Sequence, residues 1–474
     1  MNRVDDLVGD AVERVVRSHH RRRLGRIGRG AVFDAPAGGW AETGTFAPRS
    51  ACSVELLVDG AEALPRIREE IEGARSHVHV AGWFFTPGLP LGHGGPTVAA
   101  LLAQAAERLP VRVLAWAGAP LPLFHPDRGE VRDMRDALRR GSRVDVRLDA
   151  KERPMHCHHE KVVLVDDRVA FVGGMDLTSF AGDRLDDSAH AARGRQGWHD
   201  ACLRLEGPIV ADVAEHFRLR WREAGGEDVG GASCPDAGGV EAQLVRTVPE
   251  RIYDGLPRGE FTILESYRRA LCSAERLVHL ESQFLWSSEV VAILAEKLRN
   301  PPADDFRVVV LLPARPNNGA DDTRGQLGVL VDADEQGGGD TSRFLACTLY
   351  QPGRGGGSVY VHAKVGIVDD RWLTVGSANL NEHSFFNDTE VNVVVQDEAL
   401  ARAARVRLWS EHLERDADGD PVRLVDEVWR PLAEEQLEHR RREGWSPHRL
   451  ALLPHVSRRA NAVWGPLNGL VVDG

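Results

Sequence analysis

Two stretches of the chain place a histidine, a lysine and an aspartate in the same order at the same spacing. His159, Lys161 and Asp166 are followed by Gly173-Gly174 and Asp176; His362, Lys364 and Asp369 are followed by Gly376-Ser377 and Asn379. A period of two puts each His and Lys on one face of a short strand, with Val162 and Leu164 pointing into a core. Asp166-Asp167-Arg168 reads as a tight turn and Val169–Val172 as the returning strand. The glycines let the backbone come close to whatever the His and Lys address. Cleaving a phosphodiester needs a nucleophile, a proton donor for the leaving alkoxide and positive charge on the non-bridging oxygens. Two imidazoles supply the first two, because their pKa lies near neutral. Two lysines supply the third without a metal ion.

The paired motif resembles the phospholipase D superfamily, whose members carry two His-x-Lys-x-x-x-x-Asp signatures and act on phosphodiesters. The likeness runs over most of the chain, roughly residues 50–415. It implies a covalent phosphohistidine on one histidine, with the other acting first as acid and then as base. The first-signature histidine is usually the nucleophile, which assigns His159 that role and His362 the acid/base role, although the residues alone do not order them. Lys161 and Lys364 then bind phosphate and Asn379 donates its side-chain amide. Asp176, the counterpart of Asn379, cannot donate when ionised, so the site is not fully symmetric. Ser377 is a weaker phosphate contact. The family orients each histidine with an acid downstream of the signatures, here Asp200 in Trp198-His199-Asp200 and Glu390 in Asn387-Asp388-Thr389-Glu390. Asp166 and Asp369 complete the signatures and stay in the site set, although their place at the turns favours a structural role. No cofactor is implied. His156, His158 and His159 cluster in sequence but show no metal-ligand spacing.

Further details lean toward phospholipid. His158-His159-Glu160-Lys161 is similar to the His-His-Gln-Lys of lipid-cleaving members, and Gly173-Gly174-Met175-Asp176-Leu177 to their Gly-Gly-x-Asp-Leu. Trp198–Asp200, Leu203–Gly207 and Phe217–Trp221 resemble another run of that branch. So do Gly82–Phe85 and Glu281–Phe284, where Ser282 departs from the usual Asn. Trp83, Phe84, Phe284 and Trp286 either line a substrate entrance or pad the core. The expected activity is phospholipase D, cleaving a glycerophospholipid head group at a membrane surface. The alternatives are a cardiolipin- or phosphatidylserine-synthase-like transferase, a nuclease-type phosphodiesterase and a non-catalytic relative; the intact signatures speak against the last.

The formal net charge of −12 tells against bulk nucleic-acid binding. Six scattered cysteines form no Cys-x-x-Cys pair and fit a reducing cytoplasm. No apolar run is long enough to span a bilayer, and the N-terminus lacks a signal-peptide core. The expected location is cytoplasmic or peripheral at the membrane.

With 474 residues the chain exceeds one ordinary core. Strands alternating with helices predict an α/β fold, with mixed sheets flanked by helices. Val78–Phe84 aligns with Val278–Phe284, so the plan repeats. The domains expected are 51–223 and 240–415, related by a pseudo-two-fold axis, with a Gly-rich linker at 224–239. One chain then holds one complete site, and a monomer suffices. Residues 1–50 read as an amphipathic helix with a basic tail, either lipid-binding or packed on the body. Residues 313–340 read as a long polar loop, and 416–474 as a helical extension in which Trp464 packs on the body.

Overall fold

The computed structural model describes residues 2–454 apart from 122–123, 155, 232–233, 318–319 and 339–341. The first half contributes β1 (Arg49–Val58), β2 (Val78–Gly82), β3 (Val111–Trp116), β4 (Asp145–Asp149), β5 (Val162–Val165), β6 (Val169–Gly173), β7 (Gly197–His199) and β8 (Ala201–Glu206). The second contributes β9 (Val240–Val248), β10 (Glu260–Phe261), β11 (Leu277–Glu281), β12 (Arg307–Leu311), β13 (Phe344–Tyr350), β14 (Ser358–Val361), β15 (Val365–Val368), β16 (Trp372–Gly376) and β17 (Glu390–Val395). A last strand, β18 (Leu450–Leu452), adds to β13.

Hydrogen bonding orders the first sheet β4-β3-β2-β5-β6-β8-β1. The second follows the same plan, β13-β12-β11-β15-β16-β17-β9. In each, the first three strands are mutually parallel and the rest antiparallel, so both sheets are mixed. Two seams join them: β1 runs antiparallel to β9, and β7 runs parallel to β14.

The period of two explains the layers. In β5, Val162 and Leu164 enter a core shared by both halves, where they meet the set containing Val365, Ile367, Val391 and Val393. Val163 and Val165 turn the other way, toward helices α2 (Asp59–Glu72), α3 (Val98–Ala106) and α4 (Arg128–Arg139). A strand buried on both faces reads as a continuous apolar run, as Val162–Val165 does. Helices α5 (Ile209–Glu223), α6 (Thr262–Ser273) and α7 (Ser288–Arg299) complete the layers.

Two expectations change. β1 starts at Arg49, two residues before the boundary read from sequence. Residues 313–340 are not a loop: Ala320–Gln336 forms helix α8, against α7. Its buried Leu327, Leu330 and Ala333 lie at three-residue steps, a stripe that the interspersed glycines and aspartates conceal. The N-terminal helix α1 (Asn2–Arg26) packs on the body, one of the two readings open from the sequence. Arg23 holds both carboxylate oxygens of Glu250 (2.9 and 2.7 Å), Arg17 meets Glu289 at 3.1 Å, and His20 stacks on Phe386 at 3.8 Å. Trp464 lies outside the described residues. Among the described residues, no helix is long and apolar enough to cross a membrane.

Candidate active site

His159 and Lys161 lie just ahead of β5, in an extended segment rather than in the strand proper. Their backbone partner is in the other half: the His159 N–H donates to the Thr389 carbonyl at 2.9 Å, and His158 bridges Thr389. The second signature mirrors this. The His362 N–H donates to the His199 carbonyl at 2.8 Å, and Val361 pairs with His199 across the β7–β14 seam. Each signature is therefore drawn against the residue just before the other half's acid, Thr389 before Glu390 and His199 before Asp200.

The acids consequently cross over. Glu390 of the second half faces His159 Nδ1 at 3.0 Å, and Asp200 of the first half faces His362 Nδ1 at 2.7 Å. A carboxylate on Nδ1 fixes ring orientation and tautomer and leaves the chemistry to Nε2. Both imidazoles line one cavity of about 250 Å³, with Trp83, Phe180, Trp198 and Tyr360 among its aromatic walls.

The two acids differ electrostatically. Burial pushes the Glu390 carboxyl up to about 8, although Ser377 and Ser384 both donate hydroxyls to it (2.5 and 2.6 Å). Asp200 is equally buried, but His362 and Lys364 beside it hold its carboxyl well below the usual range. It also accepts from the Ala201 N–H at 2.9 Å. Burial, reinforced by Lys364, keeps the His362 imidazole well below its usual pKa, so it is neutral in the empty cavity. Burial also lowers Lys364 to about 7. Both lysine ammoniums donate to the carbonyl of their own signature histidine, and Lys161 also pairs with Asp176 at 3.3 Å.

Asn379 and Asp176 occupy equivalent places with different chemistry. The Asn379 amide donates to Gln283 at 3.4 Å, while Asp176 keeps one oxygen, Oδ1, without a hydrogen bond. Ser377 serves Glu390 rather than standing in the cavity. Asp166 and Asp369 are removed from the reacting groups. Asp166 accepts the N–H groups of Arg75, Ser76 and His77 at 2.7–3.1 Å, and Asp369 those of Glu275, Arg276 and Leu277 at 2.7–2.8 Å. Both sit in left-handed turns (φ 58° and 52°) at the hairpin tips. Asp166→Ala should cost about 1–3 kcal/mol of stability in denaturant titration. Turnover per folded molecule should stay within about threefold of wild type, since no reacting atom is touched.

Of the aromatics, Trp83 reaches the cavity and Phe84 packs on the half-exposed Phe180 (4.6 Å). Phe284 and Trp286 are buried core residues. Arg184 is a cavity residue that the sequence did not single out; it lies in an irregular stretch with no periodicity to mark it.

The histidine run 156–159 disperses, His158 going to Asp149 (3.2 Å) and His156 to His383 (2.9 Å). A set suited to a divalent cation forms elsewhere, from Asp59, His190, His199 and Glu411, all buried with their ligand atoms within 4.8 Å of one another. The outer ring nitrogens of the two histidines are held by Asp186 (2.9 Å) and Glu281 (3.0 Å), as second carboxylates hold metal-binding imidazoles. Two imidazoles and two carboxylates fit such an ion. These residues are spread from 59 to 411 in the sequence, so no local spacing shows them.

Comparison with known proteins agrees with this architecture. The family described as "Cardiolipin synthase, PLD-like domain" matches residues 268–411. Phospholipase D A of Dictyostelium discoideum is 24% identical over 78% of this chain and 36% of its own length. The major cardiolipin synthase ClsA of Bacillus subtilis is 25% identical over 74% of this chain and 67% of its own. The chain thus spans about a third of the first relative and two thirds of the second. The crystal structure of phosphatidylserine synthase from Haemophilus influenzae superposes with a TM-score of 0.50 at 13% identity, covering 81% of this chain and 89% of that one. The duplicated mixed sheets therefore have the fold of that solved structure. Residues 268–411 thus match a PLD-like domain, and relatives named phospholipase D and cardiolipin synthase extend the likeness over about three quarters of the chain.

Proposed function

We propose that this chain is a phospholipase D-type phosphodiesterase that opens the head-group ester of a glycerophospholipid through a phosphohistidine. The observation that carries this is the pair of imidazoles in one cavity, each with Nδ1 on a buried carboxyl group. His159 Nε2 attacks phosphorus. The negative charge of the bound phosphodiester offsets Lys364 and allows His362 to hold a proton, which it passes from Nε2 to the departing head-group oxygen. The phosphorus–oxygen bond breaks as the phosphorus–nitrogen bond forms, leaving phosphatidyl-His159. His362, now neutral, takes a proton from water or an alcohol, whose oxygen displaces His159. Lys161, Lys364 and Asn379 carry the charge on the non-bridging oxygens. Because one chain holds both signatures, a monomer suffices. We place it in the cytoplasm or at the membrane surface, where its substrate lies, and expect no stable nucleic-acid partner.

A phosphatidyltransferase uses the same intermediate, and the family matched at residues 268–411 is named for cardiolipin synthase. One experiment separates the readings: purified protein, vesicles of mixed head group and a little ethanol, with products identified by mass spectrometry. Phosphatidic acid with phosphatidylethanol indicates a hydrolase with an open acceptor site. Cardiolipin made from phosphatidylglycerol, without phosphatidic acid, indicates a transferase. No lipid product from any head group overturns the lipid reading.

The proton inventory makes a second prediction. The charged form of Lys364 is the active one, and burial holds its pKa at about 7 in the free protein. The kcat/KM profile, which reports the free enzyme, should therefore fall as pH rises through about 7. Lys364→Arg should retain charge and move that alkaline limb upward, at a cost in kcat.

A further inference from the structure

The cavity holds a buried cation that the chemistry above does not use. Arg184 is 6% exposed and lines the cavity with His159 and His362. Its Nε and Nη1 have no hydrogen-bond partner, and no carboxylate lies within ion-pair distance of it among the described residues. Asp176 and Asp200 hold its charge only through space, and burial lowers its pKa to about 10, so it remains charged. Its guanidinium carbon sits 3.5 Å over the Trp198 ring, which fixes the plane of the fork. On its other side Trp198 stacks on Tyr360 at 4.9 Å. A second arginine, Arg315, lines the same cavity, against one carboxylate, Asp176.

A guanidinium taken out of water and left unpaired is costly, and a planar fork matches a carboxylate or phosphate through two parallel N–H bonds. We infer that Arg184 is a preformed anion-recognition position, selecting phospholipids whose head group carries an anionic group beyond the scissile phosphate. That anion is a carboxylate, as on a serine head group, or a second phosphate. A quaternary ammonium finds no welcome at Trp198, because Arg184 already occupies the ring face. The oxygen of Asp176 that lacks a hydrogen bond gives an accompanying ammonium or hydroxyl a place to donate.

This rests on the lipid reading for its substrate, so the test has an arm that does not. His159→Ala protein, which cannot turn over, is titrated calorimetrically with O-phosphoserine, glycerol 1,3-bisphosphate and phosphocholine. We expect one or both of the first two to bind at least about tenfold more tightly than phosphocholine, and which one does identifies the anion. Adding Arg184→Met should erase the difference, and Arg184→Lys should restore only part of it, since the ammonium lacks the fork. Equal affinity for all three ligands overturns the proposal. So does an equal loss for all three on Arg184→Met, which would assign the guanidinium to the scissile phosphate. Near-ultraviolet circular dichroism of each variant separates lost binding from lost folding. If discrimination holds while no phospholipid is consumed in the vesicle assay, the anion position stands and the lipid reading falls.

Discussion

Replacing His159 with alanine is expected to abolish head-group release, by roughly 10⁴-fold or more, because it removes the atom that forms the covalent bond. His362→Ala should be as damaging on phospholipids, whose alkoxide leaving groups need a proton. The variants separate on an activated ester. A p-nitrophenyl phosphodiester leaves without acid assistance, so His362→Ala should release a burst of about one nitrophenolate per chain and then stall as phosphoenzyme. His159→Ala should show no burst. The converse pattern would reverse the two roles, which the sequence could not order. Intact-protein mass spectrometry of the stalled species identifies the modified histidine directly.

The largest expected effect on folding lies one layer behind the site. Arg220 is fully buried and ties Asp149 (2.9 Å), Tyr253 (2.9 Å) and Glu160 together. Glu160 stands between His159 and Lys161, and Asp149 faces His158. Arg220→Met would leave two carboxylates buried without their cation, costing about 3–5 kcal/mol, or roughly 3–5 °C in melting temperature for a chain of this length. Glu160→Gln in the same background should recover part of the loss, because a neutral amide tolerates the apolar site. The network also sets the acid limit. Burial pushes the Glu160 carboxyl up, but Arg220 and His216 outweigh it and bring it down to about 2. A carboxyl depressed in the folded state contributes stability above its unfolded pKa and loses it as pH falls. Wild-type protein should therefore lose stability between about pH 4.5 and 2, and Arg220→Met should lose less over that window.

The repeated hairpins were legible because their period is short and the same residue types recur. Val162–Val165 and its turn needed no long-range information. The orienting acids were also legible as residues, since Asp200 and Glu390 follow their signatures. Which histidine each serves was not, because the pairing depends on backbone bonds from His159 to Thr389 and from His362 to His199, between segments far apart in sequence. Helix α8 escaped because glycine and aspartate dilute a stripe that only packing against α7 makes decisive. Arg184 and the set Asp59, His190, His199 and Glu411 escaped for a similar reason: burial and convergence, not spacing, distinguish them. Asp166 and Asp369 were legible the other way, since their place at the turns already favoured the structural role that their bonds to turn N–H groups give them.

The crossed acids bear on how this chain is made. While only the first half has left the ribosome, His159 has its lysine and its hairpin but no Glu390, and Asp200 has no imidazole to serve. The nascent segment is therefore chemically blank, however well its own sheet has formed. Competence requires the second half, whose β14 must pair with β7 to bring His362 to Asp200 and whose Thr389–Glu390 segment must reach His159. A truncated or half-folded copy therefore has neither histidine on its acid.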